Sequence, residues 1–212
     1  MSNEQTFKLV AIEGNIGVGK STLLPLLAKE LTENDNANWQ LILEDVDSDP
    51  EFQRLLQAFT VDATRRIEFQ RYITNKRSDI CKDLDPAFNY IIERSLFSDL
   101  VFCQANLAEA CRPDGKDLDY YYDIQAKLKD YPRVSAVVYL SCDAETAYTR
   151  MLSRDRDAEQ GTQRDYLQLI SDCHDTFLPH ICRKYDTVLL TEDWTDFGCP
   201  TTLAKRIISE GI

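Results

Sequence analysis

The chain is short of positive charge and has no long apolar run. Its 212 residues carry 24 Lys and Arg against 36 Asp and Glu, a formal net charge of −12. An acidic surface repels a phosphate backbone, which argues against a nucleic-acid partner. No stretch of about 18 apolar residues occurs, so no membrane-spanning helix is expected. The first residues, Met1-Ser2-Asn3-Glu4-Gln5, have neither signal-peptide nor Arg-rich transit character, and a cytoplasmic protein is the expectation. The seven cysteines (81, 103, 111, 142, 173, 182 and 199) are odd in number, scattered and without CxxC spacing. They read as reduced thiols filling small core positions, not as a metal site. His174 and His180 lack metal-like partners at i+4. Repeats and low-complexity linkers are also missing, so residues 1–212 read as a single domain.

Against that background, residues 14–22 stand out: Gly14-Asn15-Ile16-Gly17-Val18-Gly19-Lys20-Ser21-Thr22. This is the phosphate-binding pattern G-x-x-x-x-G-K-[ST]. Its setting fits. The apolar, β-branched run over 7–12 precedes it, and Leu23, Leu24, Leu26, Leu27 and Leu31 follow at helical spacing. The glycines let successive N–H groups turn inward on phosphate oxygens, and the helix adds the positive end of its dipole. Lys20 is expected on the β/γ-phosphates, and Ser21 on Mg²⁺. No D-x-x-G follows the loop and no N-K-x-D is present, which disfavours a nucleotide switch.

Further strand candidates lie at 39–43, 88–92, 134–140 and 187–190. Helical stretches fall at about 21–32, 50–59, 61–82, 96–111, 117–130, 144–153, 162–184 and 200–209. Strands separated by helices imply an α/β fold with a parallel sheet covered on both faces. Ligands of such sheets bind beyond the carboxyl ends of the strands. There the second strand delivers Glu44-Asp45-Val46-Asp47 and the third Glu93-Arg94-Ser95. The fourth leads to Arg150, Arg154 and Arg156, and the fifth to Asp196-Phe197. A carboxylate can accept a hydroxyl proton, and arginines can neutralise a transferring phosphoryl group. Each piece also has a plain reading: Glu44 as a helix cap, Glu93-Arg94 as a surface ion pair, the arginines as a solvated helix end.

Taken in order, these residues resemble the deoxynucleoside kinase family, which includes the deoxycytidine, deoxyguanosine and insect multisubstrate kinases. The resemblance runs from about 7 to 197. It rests on Glu13-Gly14-Asn15-Ile16-Gly17, Trp39 with Glu44, Phe69-Gln70, Glu93-Arg94-Ser95, Arg150/Arg154/Arg156 with Glu159, Tyr166-Leu167 and Asp196-Phe197. It implies a P-loop NTPase fold, a five-stranded parallel sheet with an Arg-rich lid at about 150–162, and a homodimer. It implies ATP as donor, Mg²⁺, and a deoxynucleoside phosphorylated at its 5′-OH. Glu44 would take the hydroxyl proton and Arg94 would hold both groups. Glu93 would bind Mg²⁺, the lid arginines the ATP phosphates, and Glu159 the 3′-OH. Phe69 and Gln70 would stack on and bond the base, and Asp196-Phe197 would cover the adenine. Arg77 and Asp99 would set base choice in favour of purines or cytosine, although an Arg–Asp pair joining two helices is also a purely structural device.

The match has departures. Phe59 stands where a Tyr usually bonds the 3′-OH. Cys103 stands where a Phe completes the base sandwich, with Phe102 or Phe97 as substitutes. Asp45, Asp47 and Asp49 add negative charge without an evident role. A nucleoside monophosphate kinase is the alternative, with Arg65, Arg66 and Arg71 as the extra cations it would need. Tyr120-Tyr121-Tyr122 is expected on a helix packed on the sheet or a partner subunit.

Overall fold

Alternation along one strand sets the architecture. β1 (Leu9–Gly14) is buried at every position. Successive side chains of a strand point to opposite faces, so Leu9 and Ala11 enter one core while Val10 and Ile12 enter another. Such a strand belongs at the centre of a parallel sheet with helices on both sides. In this computed structural model, which describes residues 5–35, 37–44, 48–109, 115–156, 159 and 161–212, that is the arrangement found. Asp45, Asp47 and Cys111 lie outside the described residues.

The five parallel strands run in the order β2-β3-β1-β4-β5, with β2 (Trp39–Ile42), β3 (Asn89–Glu93), β4 (Ala136–Ser141) and β5 (Val188–Asp193). α1 (Lys20–Asn34) and α8 (Pro200–Ser209) cover the Val10/Ile12 face through Leu24, Leu27, Leu31, Leu203 and Ile207. α4 (Leu96–Glu109), α6 (Ala144–Arg154) and α7 (Arg164–Lys184) supply the other core. α5 (Gly115–Lys127) packs on α4 and on α3 (Arg66–Ile80). Tyr120 anchors it, buried, with its hydroxyl 2.7 Å from that of Thr74, so this helix leans on its neighbours and not on the sheet.

α2 (Pro50–Val61) and α3 carry a satellite core of Phe52, Leu55, Phe69 and Ile73. Asp49 explains itself here: its side chain caps α2 by accepting from the N–H groups of Glu51 and Phe52 at 3.1 and 3.0 Å. The helix expected over 61–82 begins later. Asp62 accepts from Thr64 N at 2.9 Å, a local bond that competes with the helix, and a 3₁₀ turn at Ala63–Arg65 intervenes.

β1 and β3 lie side by side, yet their connections leave in opposite directions, β1 toward β2 and β3 across to β4. This switch point opens a crevice beyond the strand ends. Register places Glu93 directly beside Ile12, so the residues after both strands share that crevice. Among the described residues no helix is long and apolar enough to cross a membrane.

Two adjacent leucines of α1 test this layering. Leu27 is fully buried against the sheet, whereas Leu26 is 51% exposed. Leu27→Ala is expected to lower unfolding stability by about 2–5 kcal/mol. Leu26→Ala should stay within about 0.5 kcal/mol. Urea denaturation of both variants reads the difference.

Candidate active site

The loop after β1 is shaped by what packs beneath it. Gly17 has φ +79, and a Cβ there would meet the Ala147 carbonyl oxygen of α6 at 2.2 Å. Only glycine lets the loop lie this close to the helix that carries the lid arginines. Asn15 ties the loop to α7, donating to Leu167 O at 2.7 Å and Ser171 Oγ at 3.0 Å. Ile16, Val18 and Thr22 complete the loop; Val18 is buried and Thr22 exposed. α1 starts after Gly19 without a side-chain cap, which suits an anion at its first N–H groups. Lys20 is buried, and its ammonium donates to Asn15 O at 2.9 Å. Burial first, and then the charge of Arg94, push its pKa down to about 7.

A cavity of about 570 Å³ opens from this loop. Gly17, Lys20 and Ser21 line it, together with Glu44, Arg77 and Arg94 and with Phe59, Phe69, Gln70 and Tyr166. The rings of Phe59 and Phe69 stand 5.8 Å apart and nearly parallel. Phe102 also lines the cavity, with the Arg94 guanidinium 4.9 Å from its ring centre.

Ion pairs order the wall. Ser21 Oγ donates to the Glu93 carboxylate at 3.0 and 3.2 Å. Arg77 bonds Asp99 Oδ1 at 2.6 Å and also donates to Glu44. Arg94 Nε stands 4.0 Å from Glu44 Oε2. Burial alone would raise the Glu44 carboxyl, but the charges of Arg77 and Arg94 outweigh it and hold the group below its ordinary value. Arg94 has φ 63, a region a non-glycine residue adopts only when its surroundings enforce it.

The enforcing group is Glu13, whose role the sequence reading left unassigned. This fully buried carboxylate accepts from Ser95 N at 2.8 Å, Ser95 Oγ at 2.7 Å and Ser98 Oγ. A charge inside an apolar strand run was the signal.

The three arginines expected in a lid divide into two groups. Arg154 and Arg156 line the cavity, and Arg154 donates to Glu159 at 2.6 and 2.7 Å. Arg150 turns the other way, donating to Val18 O, Trp194 O and Thr195 O at 3.2, 2.9 and 2.6 Å. It stacks 4.2 Å over Phe197, which is exposed beside Asp196 and touches Gly19.

Two expected substrate contacts are not on the cavity wall. Asp99 is fully buried beneath Arg77, and burial first raises its pKa to about 6. Cys103 is 2% exposed in the main core. One residue along a helix is a turn of roughly 100°, so Phe102 faces the cavity in its stead. Phe97 packs on Tyr185 and takes no part. The buried His174 stacks on Tyr139, with Nδ1 2.8 Å from Ile170 O.

Ser21 and Glu93 offer a hydroxyl and a carboxylate, hard oxygen donors of the kind Mg²⁺ takes together with phosphate oxygens and water. Among the described residues no cluster of three or more His, Cys, Asp or Glu could hold a metal alone.

The deoxynucleoside kinase family model matches residues 10–210. A probable deoxycytidine kinase of fowlpox virus is 27% identical over 179 residues, covering 82% of this chain and 73% of the viral protein. Deoxyadenosine kinase of Dictyostelium discoideum is 27% identical over 204 residues, covering 95% of this chain and 78% of its own. The solved deoxyadenosine kinase of M. mycoides with bound dCTP superposes with a TM-score of 0.74 at 22% identity, over 95% of this chain and 99% of that one. That likeness shows a shared fold. With the family model spanning nearly the whole chain, this protein belongs to the deoxynucleoside kinase family, transferases that phosphorylate nucleosides.

Proposed function

We propose that this enzyme transfers the γ-phosphoryl group of ATP to the 5′-hydroxyl of a deoxynucleoside, with a purine or cytosine base preferred. One observation carries the reading. A single cavity is lined by Lys20 and Ser21 of the phosphate loop, by Glu44 and Arg94, and by Phe69 and Gln70. Those are the groups an in-line transfer needs within one site: cations for the donor phosphates, a proton acceptor, and a surface for the base. The relatives named for deoxyadenosine and deoxycytidine support the base preference.

In this reading Phe69 stacks on the base, Gln70 and Arg77 bond its edge, and Glu159 takes the 3′-OH. The 5′-hydroxyl loses its proton to Glu44 as its oxygen bonds the γ-phosphorus and the bond to the departing ADP breaks. Arg94 holds Glu44 and the nucleophile together. Lys20, Arg154 and Arg156 offset the phosphoryl charge, while Arg150, Asp196 and Phe197 frame the adenine. Ser21 and Glu93 would hold Mg²⁺, which neutralises charge on the phosphates.

A monophosphate acceptor would need further cations in the cavity. Arg65, Arg66 and Arg71 instead pair with Glu68, Asp117 and Asp123, and none lines the cavity. A cytoplasmic homodimer completes the proposal. Leu118 and Tyr122 of α5 present exposed apolar surface, and the described cysteines are free thiols.

A panel of the four deoxynucleosides and their monophosphates, in one ADP-release assay, decides the acceptor. Turnover of monophosphates alone would overturn the proposal. Glu44→Gln should cut kcat by about 10²-fold or more with ATP affinity unchanged; an undiminished rate removes Glu44 from the chemistry. Lys20 gives a pH signature. Its pKa of about 7 in the free enzyme should rise when triphosphate binds. ATP binding at about pH 8 should therefore take up a proton, and affinity should fall as pH climbs above that value. Calorimetry in buffers of different ionisation enthalpy measures the uptake, and none at that pH would count against the assignment.

A further inference from the structure

One guanidinium serves two carboxylates on the cavity wall. Arg77 bonds Asp99 through Nη1 at 2.6 Å and Glu44 through Nη2. Asp99 is fully buried, so it anchors Arg77 from below. Glu44 keeps 17% of its side chain exposed, toward the cavity. Its second oxygen stops 4.0 Å short of Arg94 Nε. Lys20, Glu93 and Glu13 complete the charges around this cluster. Glu44 therefore stands between two arginines and is bonded to Arg77. A carboxylate oxygen engaged by a guanidinium is a poor proton acceptor. Arg77 also lies on the same wall as Gln70, where a base edge would sit, and its Nε has no hydrogen-bond partner among the described residues.

We propose that Arg77 is a positioning residue for Glu44: it holds the carboxylate aside in the empty site and releases it when the hydrogen-bonding edge of a nucleobase takes over Nη2. This rests on the reading of Glu44 as the proton acceptor. The released carboxylate bonds Arg94 through one oxygen, and the oxygen freed by Arg77 is left to take the 5′-hydroxyl proton. Every charge stays partnered through the exchange, since Arg77 keeps Asp99 and Glu44 passes from one arginine to the next. Two arrangements so alike in partners lie close in free energy, and differential contact with a ligand shifts them. Base recognition and proton abstraction are thereby one linked event.

The test uses the full chain, ATP and two acceptors: deoxycytidine and the difluorotoluene deoxynucleoside, whose pyrimidine-sized ring has no strong hydrogen-bonding edge. Arg77→Met alone would strand Asp99 in the core, so the variant is Arg77→Met with Asp99→Leu, which replaces the buried pair by apolar side chains. Its kcat on the difluorotoluene substrate should rise about tenfold or more above wild type, the worth of one charge-assisted hydrogen bond no longer holding Glu44. The acidic limb of its kcat/KM profile should move to higher pH, because burial raises the Glu44 carboxyl once the opposing Arg77 charge is gone. Arg77→Lys should return the limb toward wild type. An unmoved limb with an unchanged difluorotoluene kcat overturns the proposal, leaving Arg77 as a base contact only. Equal wild-type kcat on both acceptors overturns it as well, without recourse to any variant. No turnover of any deoxynucleoside by wild type would overturn the functional reading on which it stands.

Discussion

The site depends on a carboxylate that does not line the cavity. Glu13 is fully buried near the end of β1, and its two oxygens gather the Ser95 N–H and the hydroxyls of Ser95 and Ser98. A buried charge costs several kcal/mol unless its hydrogen bonds are made. The turn after β3 makes them, and its geometry is fixed as a result. Arg94 is held in the left-handed region, and Glu93 is placed within 3.0 Å of Ser21. The phosphate loop leaves the same strand immediately after Glu13. One side chain thus joins the strand that leads into the phosphate loop to the turn that carries Arg94.

Charge in this protein is distributed by purpose. The chain as a whole is strongly acidic, yet Lys20, Arg77 and Arg94 are gathered at one crevice and largely withdrawn from water. Each is poised against carboxylates at close range: Lys20 near Glu93, Glu44 and Glu13, Arg77 against Glu44 and Asp99. Burial and the neighbouring Arg94 charge lower the Lys20 pKa to about 7. An incoming polyphosphate supplies the negative charge the cluster lacks near the loop.

The architecture was legible in the sequence because the signals there are local and redundant. β-branched runs, leucines at helical spacing and a glycine turn all agreed, so strand and helix positions fell within a few residues. Ion-pair partners across the crevice were less legible. That Arg77 would bridge Asp99 and Glu44 depends on three elements meeting, and no periodicity reports it. Cys103 shows the limit of reasoning by aligned position. The helix turns the thiol into the core and presents Phe102, one residue earlier, to the cavity. Arg150 likewise carried the right charge, but its direction, toward Val18 and Phe197, is set by tertiary packing. The break at Asp62 was readable in principle from Asp-Ala-Thr, a sequence suited to a side-chain turn.

The part of the cavity wall formed by α2 and α3 has a core of its own. Phe52, Leu55, Phe69 and Ile73 pack together as a cluster distinct from the two that flank the sheet. Mutations in separate packing units have nearly additive effects on stability. This part of the wall can therefore drift in sequence while the sheet, the phosphate loop and the buried Glu13 are left undisturbed. A fold partitioned in this way is evolvable at one end and constrained at the other, and substrate range can diversify faster than the chemistry.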